Sequence, residues 1–111
     1  MAHINDEILS KVRQTIGLLR DNSISIKEAY LFGSYASGSE HEWSDIDLAL
    51  VSVDFSDDRY KERLRIMKII NSIDNRIEPA PYNPEQFTET DPLVWEIKNH
   101  GIEINADITI S

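Results

Sequence analysis

The sequence predicts a small α/β (α+β) domain, a mixed β-sheet of three or four strands flanked by helices in the order αβαβαβ. Two kinds of run, and the spacing between them, predict it. Ile4, Ile8, Val12, Ile16 and Leu19 recur at helical spacing, and a second helical stretch covers about Arg59 to Asn71. Between these lie apolar runs of strand length, Ile26 to Phe32 and about Asp45 to Val53. Only ten residues, Tyr35 to Ser44, connect the two runs. A parallel crossover needs a dozen or more, so the strands are expected to be antiparallel and joined through one short helix.

The first helix covers residues from about 5 to 20, capped by Asn5, with Asp6 and Glu7 in the first turn where the helix dipole favours negative charge. Asp21-Asn22-Ser23 ends it. Gly33 ends the first strand, Ser34 to about Gly38 makes a helical turn, and Ser39 to Ser44 is loop. In the second strand Ile46, Leu48 and Leu50 face the helices, while Asp45, Asp47, Ala49 and Val51 face a candidate site. Apolar residues on both faces beyond Asp47 imply burial on both sides. Ser56-Asp57-Asp58 caps the helix from Arg59 to Asn71, which is expected to turn Tyr60, Leu64, Met67 and Ile70 inward.

The outer face of that helix carries Arg59, Lys61, Arg63, Arg65 and Lys68. It reads either as a solvated face or as a patch that meets a nucleotide or a partner. Asn75 or Arg76 to Ala80 is a short third strand, and Pro79, which cannot donate to a ladder, places it at an edge or a strand end. Thr90 or Asp91 caps a helix from Pro92 to about Asn99, and Gly101 stops it. Ile102, Ile104 and Ile108 suggest a last short strand.

The 111 residues, 41% hydrophobic and 28% charged, suit one compact domain spanning 1–111. No apolar run approaches a membrane span, and the N-terminus MAHINDEI has no signal-peptide core, so a cytoplasmic protein without membrane contact is expected. The absence of cysteine removes disulfides and thiolate metal sites. A net charge of −9 argues against general nucleic-acid binding, which calls for a basic surface. It permits a basic protein partner, or serves solubility alone.

Chemistry concentrates in Leu31–Leu50, LFGSYASGSEHEWSDIDLAL. Asp45 and Asp47 stand at the mouth of a strand, on one face and roughly 7 Å apart. Carboxylates at that separation repel by about 2 kcal/mol at an effective dielectric near 20. Hard cations such as Mg²⁺ take such oxygen ligands, commonly one or two carboxylates together with substrate phosphates. Gly33 lets the backbone approach a ligand closely, and Ser34 offers a hydroxyl beside N–H groups that favour phosphate. An EF-hand is excluded because Asp45-Ile46-Asp47 continues into apolar residues, and no GxxxxGK[ST] run supports a P-loop. His3, His41 and His100 lack metal-ligand spacing and read as surface residues.

Gly33-Ser34, ten residues, then Asp45-x-Asp47 and an apolar strand resemble the signature of the DNA polymerase β-like nucleotidyltransferase superfamily, and within it the minimal nucleotidyltransferase group. The motif covers about a fifth of the chain, and the order of elements matches over nearly all of it. The resemblance implies the nucleotidyltransferase fold, with Asp45 and Asp47 binding two Mg²⁺ ions and Gly33 and Ser34 holding the β- and γ-phosphates of ATP. It calls for a third carboxylate on the next strand as metal ligand and base, which here is Glu78 where relatives often have Asp. Ser37 stands where many relatives carry Arg or Lys, so a phosphate-compensating charge is missing unless Arg59, Arg63 or another basic group reaches in. Tyr35 either stacks near the nucleotide or packs in the core, and Trp43 either anchors its loop or lies over the base.

The resemblance implies transfer of AMP from ATP to a hydroxyl. Without the extra domain that larger relatives use to seat an acceptor, recognition is expected through a partner protein or an oligomer. It looks like the antitoxin of a pair with a HEPN-type toxin, modifying a tyrosine of that toxin. The alternatives are a non-catalytic module that neutralises a basic partner by contact, and a nucleotidyltransferase for small molecules acting as a homo-oligomer.

Overall fold

The computed structural model describes residues 6–41 and 44–104. The expectations for His3, Ile4, Asn5, Trp43 and Ile108 lie outside them. Among the described residues four helices and four strands alternate: α1 (Asp6–Asp21), β1 (Glu28–Phe32), α2 (Ser34–Ser37), β2 (Ile46–Val51), α3 (Arg59–Ile70), β3 (Ile77–Tyr82), α4 (Pro92–His100) and β4 (Ile102–Ile104). The order αβαβαβ thus continues into one more helix and strand. The sheet runs β3-β2-β1-β4. β1 is antiparallel to β2 and to β4, and β2 is parallel to β3. The short β1–β2 connection is antiparallel as its length demands. The β2–β3 crossover has room for α3.

One sheet face carries the main core. Ile46, Leu48 and Leu50 of β2 pack with Ile8, Val12, Ile16 and Leu19 of α1 and with Ile66 and Ile70 of α3. Tyr35 of α2 is buried in the same core, so it anchors the one-turn helix. The opposite face carries a smaller core in which Ala49 and Val51 meet Tyr82, Phe87, and Val94 and Ile97 of α4. Against the expectation from alternation along β2, Ala49 and Val51 do not face a site; α4 and the Phe87 segment cover them, and only the start of the strand is left open.

Helix α3 buries Ile70 and half-buries Met67 as expected, but its first half departs from the expected phase. Glu62, Ile66 and Ile70 are buried, while Tyr60 is 70% exposed and Leu64 lies at the surface. Glu62 tolerates burial because its carboxylate accepts the Ser56 N–H at 3.1 Å and pairs with Arg65 at 2.9 Å. The helix caps are as expected, with Asp58 accepting from Lys61 N–H, Asp91 from Leu93 N–H, and Gly101 N–H closing on Ile97 O.

Strand β3 is an edge, as Pro79 requires, but it runs on to Tyr82 through a second proline. Tyr82 O accepts from Ser52 N–H at 3.0 Å on the β2 side. Pro81 O accepts from Arg59 Nε at 2.8 Å on the other. Prolines two apart share the outer side of a strand, so neither removes a ladder bond. Arg59 also lies over the Tyr82 ring, 3.9 Å from its centroid, and so covers the edge.

Candidate functional site

The open end of the sheet is where β1 stops and β2 begins. Phe32 pairs with Asp47 across β1 and β2, and Asp47 pairs with Glu78 across β2 and β3. Three neighbouring strands thus set Phe32, Asp47 and Glu78 side by side, with Asp45 one step before β2. Gly33 follows Phe32 at φ +74°, a conformation that L side chains rarely adopt. A Cβ added there would run into the Asp47 carboxylate. Glycine is therefore required twice, by the turn and by the close approach of Asp47, so the two halves of the motif are in contact.

Helix α2 begins at Ser34 and ends at Gly38, whose left-handed conformation stops it. The chain then returns through a loop closed by Ser44, whose hydroxyl accepts the His41 N–H at 2.8 Å. Ser34, Ser39, His41, Ser44, Asp45 and Asp47 line an open recess of about 350 Å³. Ser39 and Ser44 carry no signal of their own in the sequence, and His41, read there as a surface residue, lines the recess; the loop returning to Asp45 must pass the end of β1. Ser37 turns its hydroxyl to Ser34 O and to Ser39 Oγ but lines a cleft toward α4 and not this recess, so position 37 brings no charge to the recess.

The electrostatics single out Asp47. Burial pushes its carboxyl above the usual range, and Asp45 and then Glu78 push it further. Among the described residues the recess lining contains no lysine or arginine. Glu78 is differently placed: Arg63 of α3 forms an ion pair with it. Arg59 and Arg63 are thus spent on β3, and of the basic cluster only Lys61, Arg65 and Lys68 are exposed. The compensating charge sought for position 37 does not come from either arginine.

A divalent cation fits what is present. Asp45 and Asp47 are hard oxygen donors, and a bound cation would offset both the burial and the repulsion from Asp45 and Glu78 that raise Asp47. Among the described residues no three carboxylate or imidazole groups are gathered to hold a metal ion, and Glu78 is paired with Arg63. Two carboxylates with substrate phosphates make a sufficient set for Mg²⁺.

Comparison with known proteins places these elements in a wider set. Residues 12–103 match the family described as nucleotidyltransferase domain. Over 63 residues the chain is 38% identical to the protein adenylyltransferase MntA of Shewanella oneidensis (strain ATCC 700550 / JCM 31522 / CIP 106686 / LMG 19005 / NCIMB 14063 / MR-1), covering 57% of this chain and 45% of that protein. The match thus spans less than half the length of that relative. A crystal structure of a toxin–antitoxin with AMP-PNP is similar at a TM-score of 0.55 and 26% identity, covering 86% of this chain and 71% of that one. A Sulfolobus solfataricus protein assigned as a nucleotidyltransferase shares the fold, at a TM-score of 0.63 and 16% identity over 93% of this chain and 86% of that one. Among the described residues no helix is long and apolar enough to cross a membrane.

Proposed function

The chain belongs to the nucleotidyltransferase domain family, and from that premise we propose that it transfers AMP from ATP to a hydroxyl of a partner protein, as the antitoxin of a pair whose toxin is of the HEPN type. The observation that carries the reading is the contact between the two halves of the motif. Asp47, whose carboxyl is raised by burial and then by Asp45 and Glu78, lies directly against Gly33. The adenylyltransferase name of the Shewanella relative and the AMP-PNP toxin–antitoxin structure support the adenylyl group and a toxin partner.

Asp45 and Asp47 would hold Mg²⁺, two ions being the expected complement, with Glu78 joining when Arg63 lets it go. An ion held by these carboxylates would offset charge on the triphosphate and lower the pKa of the acceptor hydroxyl. Ser34 offers its hydroxyl to the β- and γ-phosphates, and Gly33 keeps side chains out of their path. The acceptor oxygen forms a bond to the α-phosphorus while the bond from that phosphorus to the bridging oxygen breaks. Pyrophosphate leaves with the electron pair, and the acceptor proton passes to the Glu78 carboxylate.

A second reading, neutralisation of the partner by contact alone, is favoured by the Arg63 pairing of Glu78. One experiment separates them: the intact mass of the protein encoded beside this chain, after incubation with this chain and Mg²⁺-ATP. A gain of one or more AMP units, absent with Asp47→Asn, is expected. No gain with a stable complex still forming would establish the contact reading instead.

A further inference from the structure

Helix α3 reverses part of the usual burial of an amphipathic helix. It buries Glu62, held inside by Ser56 and Arg65, and leaves Tyr60 70% and Leu64 42% exposed. Tyr60 and Leu64 are four residues apart and share one face, and half-buried Met67 continues their stripe. A helix that hides a carboxylate while presenting an aromatic and an aliphatic side chain departs from amphipathic patterning. Such departures are expected where a surface serves a partner. The charge of the helix is equally uneven. Five of the chain's 11 basic residues stand on α3 beside one acidic residue, in a protein of net charge −9. Arg59 and Arg63 bind β3 and Arg65 pairs with Glu62, while Lys61 and Lys68 stand exposed beside the apolar stripe.

We infer that this face of α3 docks an acidic amphipathic helix of the partner protein, its apolar side chains against Tyr60, Leu64 and Met67 and its carboxylates beside Lys61 and Lys68. This deepens the reading above, on which it rests for the existence of a partner. Side chains at i, i+4 and i+7 form a ridge that fits the groove of another helix. Tyr60 brings a broad apolar ring with a polar tip, a combination common at interfaces. Charge decides the occupant. Carboxylates complement the lysines, steer the encounter and set the register. A basic partner, which the acidic chain as a whole would attract, is repelled at this face. A second copy fits poorly as well. Two-fold pairing would set α3 against α3, basic flank to basic flank, and a contact between unlike faces would propagate from copy to copy without closing. The location suits an acceptor. Arg63, three residues after Tyr60 and four before Met67, is the residue that pairs with Glu78. A partner held on α3 is therefore close to the carboxylate assigned to take the acceptor proton.

The test is calorimetry with the protein encoded beside this chain, using the wild type, Leu64→Glu, Tyr60→Ser, Lys61→Glu/Lys68→Glu and, as a control, Trp95→Ser on α4. All the replaced side chains are exposed, so the fold is expected to persist, with Tm as the check. Leu64→Glu sets a carboxylate between Lys61 and Lys68, which the free helix accepts. It and Tyr60→Ser are each expected to weaken the complex by about tenfold or more. The lysine double variant should weaken it to a similar extent and remove most of its salt dependence. Trp95→Ser should leave the affinity unchanged. Unaltered affinity in Leu64→Glu and Tyr60→Ser would overturn the proposal, as would the absence of any complex. So would a wild-type affinity that ignores salt, since the partner's surface would then not be acidic. Self-association of the chain alone, seen by sedimentation and abolished by Leu64→Glu, would give the face to a second copy and overturn it too. AMP incorporation that survives every α3 variant would remove the docking face and leave the transfer reading standing. A complex weakened by these variants, with no AMP gained, would do the opposite.

Discussion

Asp47 and Asp74 are two aspartates beside the same sheet, and their surroundings are opposite. Asp74, in the turn before β3, accepts from Arg76 at 2.8 Å and from Lys11 of α1 at 2.6 Å, and also takes the Arg76 N–H. These donors, Arg76 foremost, hold its carboxyl well below the usual range. Asp47 is raised instead, by burial and by two further carboxylates. One cluster is closed within the chain and joins α1 to the turn. The other is left short of positive charge, as expected of a site completed by a ligand. Proximity to the sheet and residue type are the same in both; the partners decide which is structural.

The largest effect expected is at Asp47. Asp47→Asn should lower nucleotidyl transfer on the order of a thousandfold, read as AMP incorporated into the partner. At neutral pH the same change should raise Tm, because it removes like-charge repulsion. Mg²⁺ should raise the Tm of the wild type and not that of the variant. A variant that keeps the Mg²⁺ shift would remove Asp47 from the metal set.

Next is Gly33, where the two halves of the site touch. Gly33→Ala forces a side chain into a strained conformation, costing about 1–3 kcal/mol, and drives it into the Asp47 carboxylate. Activity should fall by about a hundredfold. Gly38 is an internal control, having a similar φ of +79° but open space where a Cβ would stand. Gly38→Ala should lower Tm modestly and leave the nucleotide affinity unchanged. Equal losses of activity in the two variants would mean that backbone strain, not the Asp47 contact, governs position 33.

Asp74→Ala should lower Tm by about 5 °C or more, leaving Lys11 and Arg76 without their carboxylate, and leave Mg²⁺ binding untouched. Its pH dependence sharpens the contrast. A carboxylate depressed in the folded state stabilises above the unfolded value of about 4 and loses that contribution as pH falls. A raised one, as at Asp47, costs stability as pH rises past about 4. Thermal melts from pH 3 to 7 should therefore show Asp74→Ala below the wild type and Asp47→Asn above it at pH 7. The Asp47→Asn difference should fade toward pH 3, while most of the Asp74→Ala difference should remain there, because a carboxyl held so far below the usual range gives up its contribution only at lower pH.

How far the sequence alone reached follows the same division. Local signals sufficed for the strands, the caps Asp58 and Asp91, the stop at Gly101 and the Gly33–Asp47 end, because each depends on residues close in sequence. The phase of α3 read out at Met67 and Ile70 but not at Tyr60 and Leu64. Glu62 looks like a surface residue until Ser56 and Arg65 satisfy it, and its burial rotates Tyr60 and Leu64 outward. Nor did the ends of β3, since Pro79 and Pro81 are acceptable only once the pairing direction is known. The roles of Arg59 and Arg63 were hidden for a related reason. A basic stripe is read from helical period, whereas its partners lie on a strand more than a dozen residues away.

The smallest expected effect bears on Glu78, which lies in register with Asp47 yet is paired with a cation as Asp74 is. The Arg63–Glu78 pair is more than a third exposed on both sides, so Arg63→Gln should change stability by less than about 1 kcal/mol. Its consequence belongs to the site. If Glu78 joins the metal set, Arg63 competes with Mg²⁺ for that carboxylate, and removing the competitor should lower the Mg²⁺ concentration for half-maximal activity by up to about fivefold. Arg63→Lys, which keeps the charge, should restore most of the wild-type dependence. Glu78→Gln should raise the requirement instead, since it removes the ligand. An Mg²⁺ dependence that ignores all three substitutions would make Glu78 a counterpart of Asp74, a carboxylate that ties α3 to the edge strand, and would leave Asp45 and Asp47 as the metal-binding pair.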